Sequence, residues 1–194
     1  GGVETRDIFE QAFGYFEARV IVPRGTGMWS AFWLQSSNQR KVGNEGEDGT
    51  EIDIYESAFR KSKDSKMGHA LLWDGYGKDA KVSDYIGNLE QDLYDGYHTF
   101  ALKWTPEYYV FYIDGKPTWA TADGNVSKVK EFLRLTVEID AGDGYGPHGQ
   151  KIGKFSHDED ADDFMIDYVK VWQNENYEKF IKNNSEYTGN MDLG

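Results

Sequence analysis

Glu51-Ile52-Asp53-Ile54-Tyr55-Glu56 interleaves three carboxylates with apolar and aromatic side chains. Side chains alternate faces along an extended strand, so Glu51 and Asp53 share one face while Ile52 and Ile54 take the other. Strict alternation would set Tyr55 beside the two acids. One extra residue held in a β-bulge brings Glu56 round in its place. The segment is therefore predicted to be a bulged strand with three carboxyl groups on one side.

Outward from it, further segments read as strands. Phe13 to Val22 sets Tyr15, Glu17 and Arg19 against Phe16, Ala18 and Val20. Met28 to Gln35 is apolar on both faces, with Trp29 and Trp33 on the same side. His98 to Trp104 is followed by Thr105-Pro106 and by Tyr108 to Ile113. Asp114-Gly115-Lys116 then reads as a hairpin turn, with Pro117 marking an edge or bend. Phe132 to Ile139 places Arg134, Thr136 and Glu138 opposite Leu133, Leu135, Val137 and Ile139, and Phe164 to Trp172 is the last clear strand. Helix signals are confined to Tyr177–Lys182. Ser36–Thr50, Trp73–Leu89 and Asp140–Asp163 read as loops, and loops this long in a compact domain are often functional. The pattern predicts an all-β chain, one domain over 1–194 built as a sandwich of two antiparallel sheets, with a polar tail from Asn174 to Gly194 outside the core. Glu17, Arg19, Trp29, Trp33 and the acid strand are expected on a common concave side.

With 194 residues the chain can bury a substantial core. Six Trp, thirteen Tyr and eleven Phe are more aromatics than one small core hides, so some are expected in a surface groove. The net charge of −13 disfavours nucleic acid and anionic polysaccharides. The absence of cysteine removes disulfides, thiol nucleophiles and thiolate metal sites. No stretch has the length of a membrane span, and no signal peptide is present. The chain starts at Gly1-Gly2 rather than Met, as a processed chain or a fragment would.

Three acids on one face suit a retaining glycosidase, which needs two carboxyl groups about 5–5.5 Å apart, one to attack the anomeric carbon and one to protonate the leaving oxygen. Four residue steps along a strand span roughly 13 Å. Two Glu side chains leaning toward each other by about 4 Å each close this to roughly 5 Å. Asp53 sits between them as an electrostatic helper that keeps a proton bound nearby. Spacing does not tell which Glu takes which role. The alternatives are a calcium site, for which a strand flanked by Ile52 and Ile54 is a poor cage, and a merely solvated acidic face.

The segment resembles the bulged Glu-x-Asp-x-x-Glu signature of glycoside hydrolase family 16. Other stretches resemble the family in order: Phe13–Arg19, Gly27–Leu34 with Ser30 where Pro is common, Tyr97–Pro106, Phe111–Gly115 and Ile166–Val171. The resemblance implies a β-jelly roll of two curved sheets with a concave glycan-binding cleft. It implies Glu51 as nucleophile, Glu56 as acid/base and Asp53 as helper. It implies sugar contacts from Glu17 and Arg19, and offers Trp29, Trp33 and Trp73 for stacking on sugar faces. Glu138 is a further candidate for the cleft. Trp104 and Trp172 are expected in the core, and His98 as a structural hydrogen-bonder. No cofactor is required, but a structural calcium on the convex side is a family feature, with Asp167 as candidate ligand; Asp143, Asp158, Asp160 and Asp162 are expected to be a solvated acidic loop. The implied activity is that of a secreted, monomeric endo-β-1,3- or β-1,3-1,4-glucanase acting on a neutral β-glucan. Transglycosylation, agarase or carrageenase activity, and a lectin without catalysis are the alternatives. The chain departs from the family in having twelve residues before Phe13, where further strands are usual, and Leu72 where His is common.

Overall fold

The computed structural model describes residues 1–57, 66–88, 92–140, 152–157 and 163–192. Its strands are β1 (Gly2–Glu4), β2 (Glu10–Gln11), β3 (Gly14–Ile21), β4 (Met28–Gln35), β5 (Lys41–Val42), β6 (Glu51–Glu56), β7 (Lys66–Trp73), β8 (Lys81–Asn88), β9 (His98–Trp104), β10 (Tyr109–Ile113), β11 (Lys116–Thr121), β12 (Glu131–Ile139), β13 (Met165–Trp172) and β14 (Asn190–Met191). One sheet runs β1-β12-β4-β6-β7-β8, with β2 also on β12; the other runs β11-β10-β9-β3-β13; β14 pairs with β5. All pairings are antiparallel. The two sheets form the predicted jelly-roll sandwich.

The apolar faces meet in one core. Phe16, Ala18 and Val20 of β3 turn inward against Phe32 and Leu34 of β4, Ile52, Ile54 and Tyr55 of β6, and Leu133 and Leu135 of β12. The Tyr55 ring lies 4.3 Å from that of Phe100 on the opposite sheet. Trp104 is fully buried, 5.4 Å from Phe13 and 6.2 Å from Tyr109. Trp172, expected in the core, is instead 48% exposed. It stands on the edge strand β13 and meets Tyr15 edge-on on the outer surface, 5.6 Å away.

Among the described residues, three strands carry bulges. Phe32 pairs with Tyr55 and Trp33 with Asp53, so Ile54 has no partner on β4. On the other side Asp53 faces Ala70 and Glu56 faces Gly68, leaving Ile54 and Tyr55 opposite His69 alone. In β11, Thr118 is the spare residue against β10, next to Pro117, which cannot donate to a ladder. In β13, Asp167 is the spare residue against β3.

Strands β7 and β8 occupy chain that the sequence leaves unassigned or reads as the Trp73–Leu89 loop. Most of the 140–163 loop lies outside the described residues, including Asp143, Asp158, Asp160 and Asp162. The tail is less detached than expected. Glu175–Phe180 forms a 3-10 helix, and Tyr177 and Ile181 pack against the core. The chain then returns to β5, where Asn44 donates to the Thr188 carbonyl at 2.6 Å and β14 adds its two residues. Among the described residues, no helix is long and apolar enough to cross a membrane.

Candidate active site

The bulge in β6 does what the spacing predicts. Ile52, Ile54 and Tyr55 are fully buried in the core, and Glu51, Asp53 and Glu56 line a cleft of about 580 Å³ on the other face of the sheet. Its walls include Trp29, Trp33 and Gln35 of β4, Arg134, Thr136 and Glu138 of β12, and Tyr76 from the β7–β8 loop. On the β7 side the ladder partners of Asp53 and Glu56 are Ala70 and Gly68, too small to cover the acids.

Each carboxyl group has its own surroundings. Tyr76 donates its hydroxyl to Glu51 Oε2, and Gln35 donates to the same oxygen at 3.3 Å and to the Tyr76 oxygen at 2.6 Å. Burial pushes Glu51 up to about 7; the Tyr76 hydrogen bond and the Arg134 charge pull down, and Glu138 pushes up. Trp29 donates its indole N–H to Glu56 Oε1 at 3.0 Å. Burial raises Glu56 to about 8, with the Glu51 charge as the next cause. Asp53 is driven well above the carboxylate range by burial, then by Glu56 and Glu51. Both Glu carboxyls are thus raised, Glu56 the further, and burial with the two like charges favours the neutral form of Asp53.

The aromatic candidates divide. Trp33 lines the cleft, its N–H bonded to Thr136 at 3.1 Å and its ring covered on one side by the Arg134 guanidinium at 4.1 Å. Trp29 also lines it but is 7% exposed and packed with Ile152, so what it offers is mainly its N–H. Trp73 does not reach the cleft. Glu51 pairs with Leu72, so the next residue of β7 points into the core, where the Trp73 ring lies against Gly124. Glu138 does line the cleft.

Glu17 and Arg19 are displaced from the expected place by a whole sheet. Because Phe16, Ala18 and Val20 fill the core, their neighbours on β3 face outward on the five-stranded sheet. There Glu17 accepts a hydrogen bond from Tyr168 at 2.8 Å, and Arg19 pairs with Asp167 and lies over Tyr97 at 4.2 Å. The same pairing bears on calcium. Asp167 is exposed and taken up by Arg19, and among the described residues no group of three or more acids or histidines is arranged to hold a metal ion. The described side chains do not fit that expectation. His98 has the structural role expected of it, bonded to Asp114 at 2.7 Å and to the Asp95 carbonyl at 3.0 Å.

Three residues at the site escape a sequence reading. Tyr76 and Gln35 are two. The third is His69, beneath the cleft floor, whose Nδ1 lies 2.6 Å from the carbonyl of Ile54 and whose Nε2 lies 2.8 Å from Thr118 Oγ1. Burial lowers its pKa to about 4, so the ring is neutral at working pH. A carbonyl only accepts, so Nδ1 carries the proton, and Nε2 and the Phe111 carbonyl at 3.1 Å share the single hydroxyl proton of Thr118. One imidazole thus bonds the spare residues of two bulges in opposite sheets. The motif Trp73-Asp74-Gly75-Tyr76 hints at Tyr76; nothing local marks Gln35 or His69.

The sequence profile of Glycosyl hydrolases family 16 matches residues 1–170. Similar proteins include the endo-1,3-1,4-beta-glycanase ExsH of Rhizobium meliloti, 26% identical over 89% of this chain and 33% of its own length. A beta-glucanase of Bacillus subtilis is 26% identical over 58% of this chain and 42% of its own. The chain thus spans about a third to two fifths of these two relatives. Among solved structures, a family 16 endo-glucanase from Bacteroides ovatus superposes with a TM-score of 0.68 at 19% identity, over 89% of this chain and 74% of that one. The laminarinase catalytic domain from Thermotoga petrophila gives 0.65 at 23%, over 90% and 69%.

Proposed function

The chain belongs to the glycosyl hydrolases of family 16, and from that premise we propose that it is an endo-acting, retaining β-glucanase hydrolysing β-1,3- or mixed-linkage β-1,3-1,4-glucan. The observation that carries this reading is the gathering of Glu51, Asp53 and Glu56 by one bulge into an open cleft, with Glu51 the first of the two Glu to ionise. Glu51 is the nucleophile. The hydrogen bonds from Tyr76 and Gln35 favour its charged form. Glu56 keeps its proton to higher pH and is the acid. In the first step a Glu51 oxygen bonds to the anomeric carbon while the glycosidic bond breaks, and the Glu56 proton goes to the departing oxygen. In the second, Glu56, now ionised, takes a proton from water. The water oxygen bonds to the anomeric carbon, the bond to Glu51 breaks, and both groups return to their starting state. Asp53 lies between them, its neutral form favoured by burial and by the charges of Glu56 and Glu51.

The named activities of the similar proteins, endo-1,3-1,4-beta-glycanase and beta-glucanase, support the substrate class. A polysaccharide does not cross a membrane unaided, which favours an extracellular location. Incubation with laminarin and with lichenan, followed by assay of new reducing ends, tests the reading. Release from at least one is expected, and release from neither overturns it. The pH dependence of kcat/KM follows from the two carboxyls. The rate rises as Glu51 ionises near 7 and falls as Glu56 loses its proton near 8, so the maximum lies close to neutrality, above the ordinary carboxylate range.

A further inference from the structure

We propose that Asp192, in the C-terminal segment beyond the family-matched region, is a positioning residue for the nucleophile and acts through Tyr76. The proposal rests on the reading of Glu51 as nucleophile. The Asp192 carboxylate accepts the backbone N–H groups of both Tyr76, at 2.8 Å, and Gly77. Its own N–H donates to the Arg40 carbonyl at 2.7 Å, directly after the two-residue pairing of β14 with β5. The segment is tied down further back as well, where Asn38 donates to the Asn184 carbonyl at 2.9 Å. The tail therefore reaches the rim of the cleft by a fixed path and places one carboxylate there.

The loop it grips is built to receive it. Tyr76 stands between Gly75 and Gly77, and a Cβ on either glycine would collide with the Asp192 carboxylate. Gly75 also has φ +83°, a conformation that side-chain-bearing residues rarely adopt. Two flanking glycines leave Tyr76 on the most freely rotating stretch of the loop, so something outside the loop must fix it. Two N–H bonds to an ionised carboxylate do so, and charge-assisted bonds are about twice as strong as neutral ones. The fixed Tyr76 then delivers its hydroxyl to Glu51. Burial raises the phenol pKa, so it remains a donor throughout the working range.

The other groups acting on Glu51 do not depend on the tail. They are Arg134 and Glu138 of β12, Gln35 of β4, Glu131 at the start of β12, and its neighbours Asp53 and Glu56. Arg40 lies over the Tyr76 ring at 5.2 Å. Loss of the Asp192 grip should thus remove one donor and leave the rest in place. A carboxylate that loses a donor to its charged form titrates higher.

The test is the titration of the Glu51 carboxyl by carbon NMR in the free protein, set beside the acidic limb of the kcat/KM profile. Asp192→Ala should move both upward by roughly 0.5–1 unit, with the melting temperature showing that the sandwich is folded. Tyr76→Phe should move them at least as far, and the double variant no further than Tyr76→Phe alone. Asp192→Asn keeps one acceptor oxygen and should shift by less; it carries the same test if the alanine variant does not fold. An unchanged Glu51 titration in a folded Asp192 variant, or additive shifts in the double variant, overturns the proposal. The NMR arm needs no substrate, so a failure of the glucanase reading would show in the reducing-end assay and leave this result interpretable.

Discussion

In β6 the spare residue of the bulge is Ile54; in β13 it is Asp167. Both strands carry carboxylates, and both stretches resemble the same family. β6 is central in its sheet, its spare residue is apolar and sinks into the core, and the acids on either side are left lining a cleft among neutral donors, with Arg134 acting on Glu51. β13 is an edge strand, its spare residue is the acid itself, and that acid is exposed and neutralised by Arg19. A bulge decides which side chains share a face. Depth and partners decide whether a carboxyl on that face can hold a proton near neutral pH. Glu131 supplies the third case. It is fully buried and raised to about 8, mainly by burial, yet it is bonded by Ser127 at 2.7 Å and by the Thr50 N–H at 3.1 Å and does not line the cleft. A displaced pKa without access to solvent is a feature of packing.

The sharpest way to break the comparison is to neutralise the acids of each strand in turn. Glu51→Gln and Glu56→Gln should each lower kcat on the best β-glucan by on the order of 10³-fold or more, with circular dichroism unchanged. Near-normal turnover by either variant would mean the cleft acids are no more reactive than those of the outer sheet.

An intermediate effect is expected beneath the cleft. His69→Phe leaves the buried Ile54 carbonyl without its donor, a loss of about 1–3 kcal/mol that thermal unfolding will report. The bulge should relax with it, lowering kcat by roughly tenfold through misplacement of Glu56. A variant that loses stability but keeps full kcat would show that the core-side imidazole does not set the acid spacing.

The smallest effect is expected on the outer sheet. Asp167→Asn and Glu17→Gln should change kcat less than about twofold and stability by less than about 1 kcal/mol, since half-exposed pairs contribute little. A large loss of activity from either would return the five-stranded sheet to the substrate.

Much of this was legible because it is local. Phe132 to Ile139 and Phe13 to Val22 alternate cleanly, and the interval from Asp53 to Glu56 demands one extra residue for all three acids to agree. β7 escaped because Gly68, Ala70 and the consecutive Leu71 and Leu72 blur any period of two. β8 carries Asp84 and Gly87 amid apolar residues and reads as a turn-rich loop. The expectation for Glu17 and Arg19 fails for a different reason. Alternation says which side chains lie together within a strand, but not on which layer of a sandwich that strand sits. Trp73 is offered for stacking by the resemblance alone; its place in β7, one residue after the partner of Glu51, turns it into the core. Tyr76, His69 and Asp192 act through partners 25, 15 and 116 residues away in the chain, beyond the reach of any short motif.

The spare residue in β6 also determines how such a catalyst can fall silent. Ironing out the bulge at unchanged length would put Tyr55 in the cleft and turn Glu56 toward the apolar interior, with every acid still encoded, whereas deleting one residue between Asp53 and Glu56 would let an even pleat carry all three acids on one face. Loss of activity by the first route leaves the inventory of reactive groups intact. In β6 the local pleat, rather than the count of acids, decides which carboxyls meet in the cleft.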